Sequence, residues 1–329
     1  MENINENAPC SITGDVEKYF KMINILSINT LDAIKTYLDD DTELYSYLNY
    51  SFKPKLYPIH YIFSNNNLSI EMIEYFISHN CKLYHDNEHN LILYYLLNNI
   101  SLTNNKVLSI LEYLKLIDYD FFKNDIFNNN VFHYLSSSIH MNKEIFDFIL
   151  KNNKNYDQLN KSMETPLLRA TRENNTKYSL LLIENGCDVN KVNHNNNTAL
   201  MYTCMHNNGL LTTKLLEYNA ELNSADNQKD IPFFYACGCD NKGIPNLDLV
   251  KSIIEFLYMR GANIHKTSHE NFSVLHYAAG CLSKRASIDT IIYLIRIGVN
   301  TDIFDINGKT FIDYLIQYKD THSINNLLD

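Results

Sequence analysis

Glycine is scarce in this chain, nine residues in 329, and tryptophan is absent. Consistent with that scarcity, the sequence carries no phosphate-cradling glycine loop and no Gly-x-Ser-x-Gly elbow, so two of the commoner enzyme signatures are missing. Basic residues are also short: 28 Lys and Arg against 38 Asp and Glu leave a net charge of −10. Neutralising a phosphate backbone requires clustered Lys and Arg, and none cluster here, which argues against nucleic acid as a partner. Long apolar runs are missing as well. None approaches the roughly 18 residues that span a bilayer, and Met1–Cys10 lacks the basic-then-apolar order of a signal peptide. A cytoplasmic, non-secreted protein with no membrane partner is expected. Seven cysteines, an odd number without framework spacing, agree with a reducing compartment.

What the chain does have is a period. Thr165, Thr198 and Ile231 lie 33 residues apart (198 − 165 and 231 − 198), and each opens a short apolar stretch: Thr165-Pro166-Leu167-Leu168-Arg169-Ala170, Thr198-Ala199-Leu200-Met201-Tyr202-Thr203 and Ile231-Pro232-Phe233-Phe234-Tyr235-Ala236. A second apolar stretch follows each one, and the first two of these end in Glu184-Asn185-Gly186-Cys187-Asp188 and Glu217-Tyr218-Asn219-Ala220-Glu221. A fixed period of this length is the mark of stacked repeats, each too small to bury its own apolar face. The same ruler finds further openings at Tyr57, Asn90, Asn130, Ser273 and Thr310, about eight in all. Drift in the spacing is absorbed by polar insertions such as Gly238–Pro245.

These motifs resemble the ankyrin repeat, with its T-P-L-H-x-A opening helix and its G-A-x-x-N turn. Ser273-Val274-Leu275-His276-Tyr277-Ala278-Ala279 and the preceding Arg260-Gly261-Ala262-Asn263 carry the resemblance best, while the N-terminal openings are degenerate. The resemblance implies an all-α fold: a solenoid of about eight helix-turn-helix repeats behind a divergent N-terminal helical cap. Residues 1–52 would form the cap and 53–329 the array, degenerate over 53–160 and clear over 161–329, as one elongated domain. Pro166 and Pro232 suit a helix's first turn, and Gly186 and Gly261 suit its far end in a left-handed conformation. Small pairs such as Ala170-Thr171, Thr203-Cys204, Ala236-Cys237 and Ala278-Ala279 mark where first helices lie close together. The histidines at 60, 133 and 276 are expected to bond loop backbone.

Two metal-like clusters lose their appeal in this register. His85-Asp86-Asn87-Glu88-His89 has a helical ligand spacing but falls in a turn between repeats. Cys237-Gly238-Cys239 with Cys281 and His276 contains a cysteine already assigned to packing. No metal and no cofactor are expected, and nothing points to an enzyme.

Function is expected on the surface made by the turn tips and the exposed side of the first helices, the concave face of such a solenoid. The position four residues after each opening holds Tyr61, Tyr94, Tyr134, Arg169, Tyr202, Tyr235, Tyr277 and Tyr314. Tyrosine offers broad contact area at low entropic cost and a polar tip suited to water or a partner. The candidate partner-binding residues are Arg169, Tyr202, Tyr235, Phe272 and Tyr277, with the tips His194, Asn195, Asn227, Gln228, Asp230, His269 and Glu270. The expected function is a monomeric, non-enzymatic module that binds a protein. Some members of the family instead recruit a ubiquitin-ligase component through a C-terminal segment, but only 19 residues follow Thr310, too few for one. A purely structural scaffold is the remaining alternative.

Overall fold

The structure, a computed structural model, describes residues 14–49, 57–83, 92–121, 123–152, 155–238, 247–280 and 288–318. Among them the fold is all-helical, and the only β-type pairing is an isolated bridge between Val192 and Thr198. No described helix is long and apolar enough to cross a membrane. The chain divides into two compact units, Met1–Lys154 and Asn155–Asp329.

The first unit contains α1 (Gly14–Ile28), α2 (Leu31–Asp40), a 3-10 segment (Thr42–Asn49), α3 (Pro58–Phe63), α4 (Ile70–Ser78), α5 (Ile92–Leu97), α6 (Asn104–Leu116), α7 (Val131–Leu135) and α8 (Lys143–Asn152). The helical spacing of Tyr19, Ile23 and Leu26, then Ile34 and Leu38, puts those side chains in the core. Beyond this helix pair, the 3-10 segment buries Leu44, Tyr47 and Leu48. The acidic run at 39–43 straddles the end of α2, where Lys18 Nζ pairs with Asp41 at 3.2 Å and Glu43 at 3.1 Å. Short helices α3, α5 and α7 pack in succession, and α6 packs on α8.

The second unit is built from α9 (Pro166–Arg172), α10 (Thr176–Glu184), α11 (Ala199–Met205), α12 (Gly209–Glu217), α13 (Pro232–Cys237), α14 (Leu247–Met259), α15 (Val274–Gly280), α16 (Ile288–Arg296) and α17 (Phe311–Tyr318). Each start is set locally. Thr165 accepts the Leu168 amide at 3.2 Å and Thr198 the Met201 amide at 3.2 Å, which satisfies donors that a helix N-terminus leaves open. Ile231 cannot cap in this way, and Pro232 opens α13 instead. Helix ends turn left-handed at Gly186 (φ 84°), Asn219 (φ 63°), Gly261 (φ 92°) and Gly298 (φ 92°). After α12 the Ala220 amide reaches back to the Leu215 carbonyl at 2.9 Å, closing the orphan carbonyls.

In this unit α9, α11, α13, α15 and α17 pack one on the next, and α10, α12 and α14 do the same. The small pairs sit in the first contact row: Ala170, Thr171, Thr203, Cys204, Ala236, Cys237, Ala278 and Ala279 are all buried. A larger side chain there would push the short helices apart. Val250, Ile253, Ile254 and Leu257 bury the inner face of α14, as their spacing implies.

Candidate functional site

Among the described residues, six short turns precede α7, α9, α11, α13, α15 and α17, and each is organised by one small polar residue five positions before the helix opening: Asp125, Asn160, Asn193, Asp226, Ser268 and Asp305. Asn160 Oδ1 accepts the amides of Ser162 and Glu164, both at 2.9 Å. Asn193 Oδ1 accepts those of Asn195 at 2.9 Å and Asn197 at 3.0 Å, and Asp226 Oδ1 those of Gln228 and Asp230 at 2.8 Å. Asp305 does the same for Asn307 and Lys309 at 2.8 Å. Such side-chain-to-backbone closure is why Asn and Asp dominate tight turns. The third residue after each anchor adopts positive φ, from Asn128 (61°) and Met163 (57°) through Asn196 (58°), Lys229 (63°) and Asn271 (60°) to Gly308 (72°).

The same anchors hold the tyrosine row. Tyr134 donates to Asp125 at 2.9 Å, Tyr235 to Asp226 at 2.6 Å and Tyr314 to Asp305 at 2.5 Å, each to the residue nine positions earlier. Asn193 Nδ2 donates to the Tyr202 hydroxyl at 2.9 Å with the same offset. Each phenol therefore bolts its helix to its own turn. Burial and the adjoining carboxylates raise the tyrosine pKa values at 235 and 277, keeping both hydroxyls protonated as donors. The hydroxyl tips at 202, 235 and 314, expected to face water or a partner, are engaged internally because the turn folds back over the helix that follows it, and the tip at 277 is engaged by Asp230 of the preceding turn.

Successive turns of the second unit are also joined tip to tip. The Asn227 amide donates to the Asn195 carbonyl at 3.0 Å, the His269 amide to Gln228 at 2.7 Å and the Ile306 amide to Glu270 at 3.1 Å. His194 Nε2 donates to the Lys161 carbonyl at 3.0 Å, and Asn227 Nδ2 to the His194 carbonyl at 3.1 Å. The ladder fixes the backbone of the tips while leaving His194, Asn195, Asn227, Gln228, His269 and Glu270 exposed.

The other expected residues are less open. Tyr202 and Asp230 are buried, 8% and 9% exposed. Asp230 points inward because it ends its turn, with its amide on Asp226 and its carboxylate on Tyr277. Arg169, Tyr235, Phe272 and Tyr277 are half-buried. The Phe272 ring stacks on His276 at 5.6 Å and meets Tyr277 and Tyr314 edge-on at 6.1 and 5.9 Å. Exposed tips and half-buried rings are thus brought together along one line of turns and short helices. The line's continuous part runs from Lys161 to Tyr314.

The histidines at 60, 133 and 276 are structural. His133 Nδ1 accepts the Asn130 amide at 3.1 Å and His60 Nδ1 that of Tyr57 at 3.0 Å. His276 Nδ1 accepts the Ser273 amide at 3.1 Å, and Nε2 donates to the Lys309 carbonyl at 3.2 Å. That pattern requires the neutral ring, in keeping with a pKa lowered by burial. The 85–89 cluster, Cys239 and Cys281 lie outside the described residues, and among those described no group of three His, Cys, Asp or Glu could hold a metal ion. Cys81, Cys187, Cys204 and Cys237 are buried.

The turn anchors are also marked in the sequence. Asn160, Asn193 and Asp226 repeat at the same 33-residue step as the openings, which is the signal that finds them. No protein-family model matches the chain, and no curated protein sequence matches it.

Proposed function

We propose that this chain is an ankyrin-repeat protein, about eight helix pairs behind a divergent cap, and that it is a monomeric, non-enzymatic module binding a protein partner in the cytoplasm. The observation that carries this reading is the ladder of turn tips in the second unit. Its backbone is fixed by hydrogen bonds from turn to turn, and the side chains of Asn195, Gln228, His269 and Glu270 stand exposed along it. Pre-ordered tips lose little entropy on association, so contacts made there translate into affinity. Half-buried Tyr235, Phe272 and Tyr277 flank the tips with apolar ring surface of the kind that anchors interfaces.

The chemistry of the tips suits a polypeptide. Asn195, Asn227 and Gln228 each both donate and accept, as an exposed peptide backbone does. Basic residues at the tips are isolated, as at Lys161, Lys229 and Lys309, a poor match for a phosphate backbone. The module would act by occupancy, masking a site on its partner or bridging two partners.

The test is the triple variant Asn195→Ala, Gln228→Ala and His269→Ala. These side chains are exposed, so the melting temperature should stay within a few degrees, since surface substitutions of this kind change stability little. Affinity for the partner should fall on the order of 100-fold if three contact residues each contribute a little over 1 kcal/mol. Undiminished affinity would remove the tips from the interface and the proposal with them.

A further inference from the structure

At Tyr277 the tyrosine row gains a long-range bond. Nine residues before Tyr277 stands Ser268, which holds its turn by accepting the Phe272 amide at 3.1 Å. The Tyr277 hydroxyl shares a hydrogen bond with Ser268 and also reaches 47 residues back, to both carboxylate oxygens of Asp230 at 2.5 Å. Asp230 belongs to the preceding turn, tied there through its amide to Asp226 Oδ1 at 2.8 Å and through its carbonyl to the Asp226 amide at 2.9 Å. One side-chain bond therefore joins the turn 226–230 to the helix that follows the next turn. At Tyr134, Tyr202, Tyr235 and Tyr314 the bolt is to the turn nine residues earlier.

The surroundings of that bond are acidic. From its own turn Asp230 faces Asp226, with exposed Lys229 alongside, and from α13 it faces Tyr235, whose hydroxyl is committed to Asp226. The next turn contributes Glu270 and exposed His269. From α15 come Tyr277 and His276, the latter tied to Ser273 and Lys309, and beyond α13 lie Tyr202 and exposed His194. None of the three carboxylates is ion-paired to a base among the described residues. We propose that this junction is an acid-responsive seam, in which the protonation of Asp230 sets how tightly two successive turns are held together.

Burial and the charges of Asp226 and Glu270 outweigh the Tyr277 hydrogen bond and push the Asp230 carboxyl up to about 6. Asp305 makes the matching bond to Tyr314 and is held below the usual carboxylate range, burial being outweighed there by Tyr314 and the amides of Lys309 and Asn307. Asp305 accepts two amides that Asp230 does not, and Asp230 faces two acids instead. Because the folded carboxyl of Asp230 binds its proton more tightly than the unfolded one, its contribution to stability is full at acid pH. That contribution is lost as pH rises through about 6. At neutral pH the seam is under charge repulsion, and acidification relaxes it. The effect belongs to the folding equilibrium of the chain and needs no partner.

The experiment is equilibrium unfolding in urea at pH 5 and pH 7.5 for the native protein and Asp230→Asn, with a carbon-13 titration of the native Asp230 carboxyl. Other carboxylates and the exposed histidines titrate in both proteins, so the difference isolates Asp230. Between pH 7.5 and 5 the folding equilibrium constant of the native protein should gain about tenfold more than that of the variant. The carboxyl resonance should titrate near 6. An equal pH dependence in the two proteins, or a carboxyl midpoint in the ordinary range near 4, overturns the proposal. The titration needs no variant and decides the matter even if Asp230→Asn fails to fold.

Discussion

Replacing Phe234 with alanine is expected to destabilise the second unit by about 3–5 kcal/mol, the range for removing a fully buried aromatic ring from a packed core. Phe234 is 0% exposed. Its ring stacks on Tyr277 at 5.0 Å with an interplanar angle of 23°, so it ties α13 to α15 while α13 also packs on α11 and α14. Alanine would leave a cavity where three short helices meet, and helices of six or seven residues have little stability of their own to draw on. Urea denaturation measures the loss. The control is Tyr258→Ala on α14, 38% exposed, which should cost about 1 kcal/mol or less. Equal losses at the two positions would mean that α13 is not the packing centre described above.

The second large effect is expected at a polar residue. Asp226 accepts the amides of Gln228 and Asp230 and the hydroxyl of Tyr235. Asp226→Ala strands those donors, two of them beside buried surface, and should cost about 2–4 kcal/mol. Asp226→Asn keeps an oxygen for the amides and removes one charge facing Asp230, so it should cost distinctly less. Hydrogen exchange separates this from a general loss of stability. The amides of residues 228 and 230 should lose protection in Asp226→Ala before those of α12 or α14 do. Protection lost uniformly would indicate that the anchor organises nothing locally.

Much of this arrangement was legible in the residues themselves. Thr165 and Thr198 announce helix starts, Gly186 and Gly261 announce left-handed ends, and the small pairs at 170–171, 203–204, 236–237 and 278–279 announce close helix contact; each lies where its chemistry requires. These signals are local, set by a backbone angle or a side-chain volume. The partners of the tyrosine hydroxyls were not legible in the same way. An Asp nine residues before a Tyr means nothing until the turn is known to fold back over its helix. Tyr277 adds a partner outside that offset. Asp230 was misplaced for a related reason: polarity alone puts a carboxylate at an exposed tip, whereas the last residue of the turn faces inward, as the burial of Glu164 also shows. The 3-10 segment Thr42–Asn49 was missed because Leu44, Tyr47 and Leu48 are too few to display a period.

The account rests on the turn tips being the contact surface, and site-specific photo-crosslinking tests that most directly. A photoreactive side chain placed at Gln228, exposed in the middle of the tip ladder, is compared with one at Met259, 83% exposed at the end of α14. In extract from the native cell, the account predicts a single stoichiometric protein adduct from position 228, lost when Asn195 and His269 are also changed to alanine, and none from position 259. An adduct formed from 259 and not from 228 would contradict it.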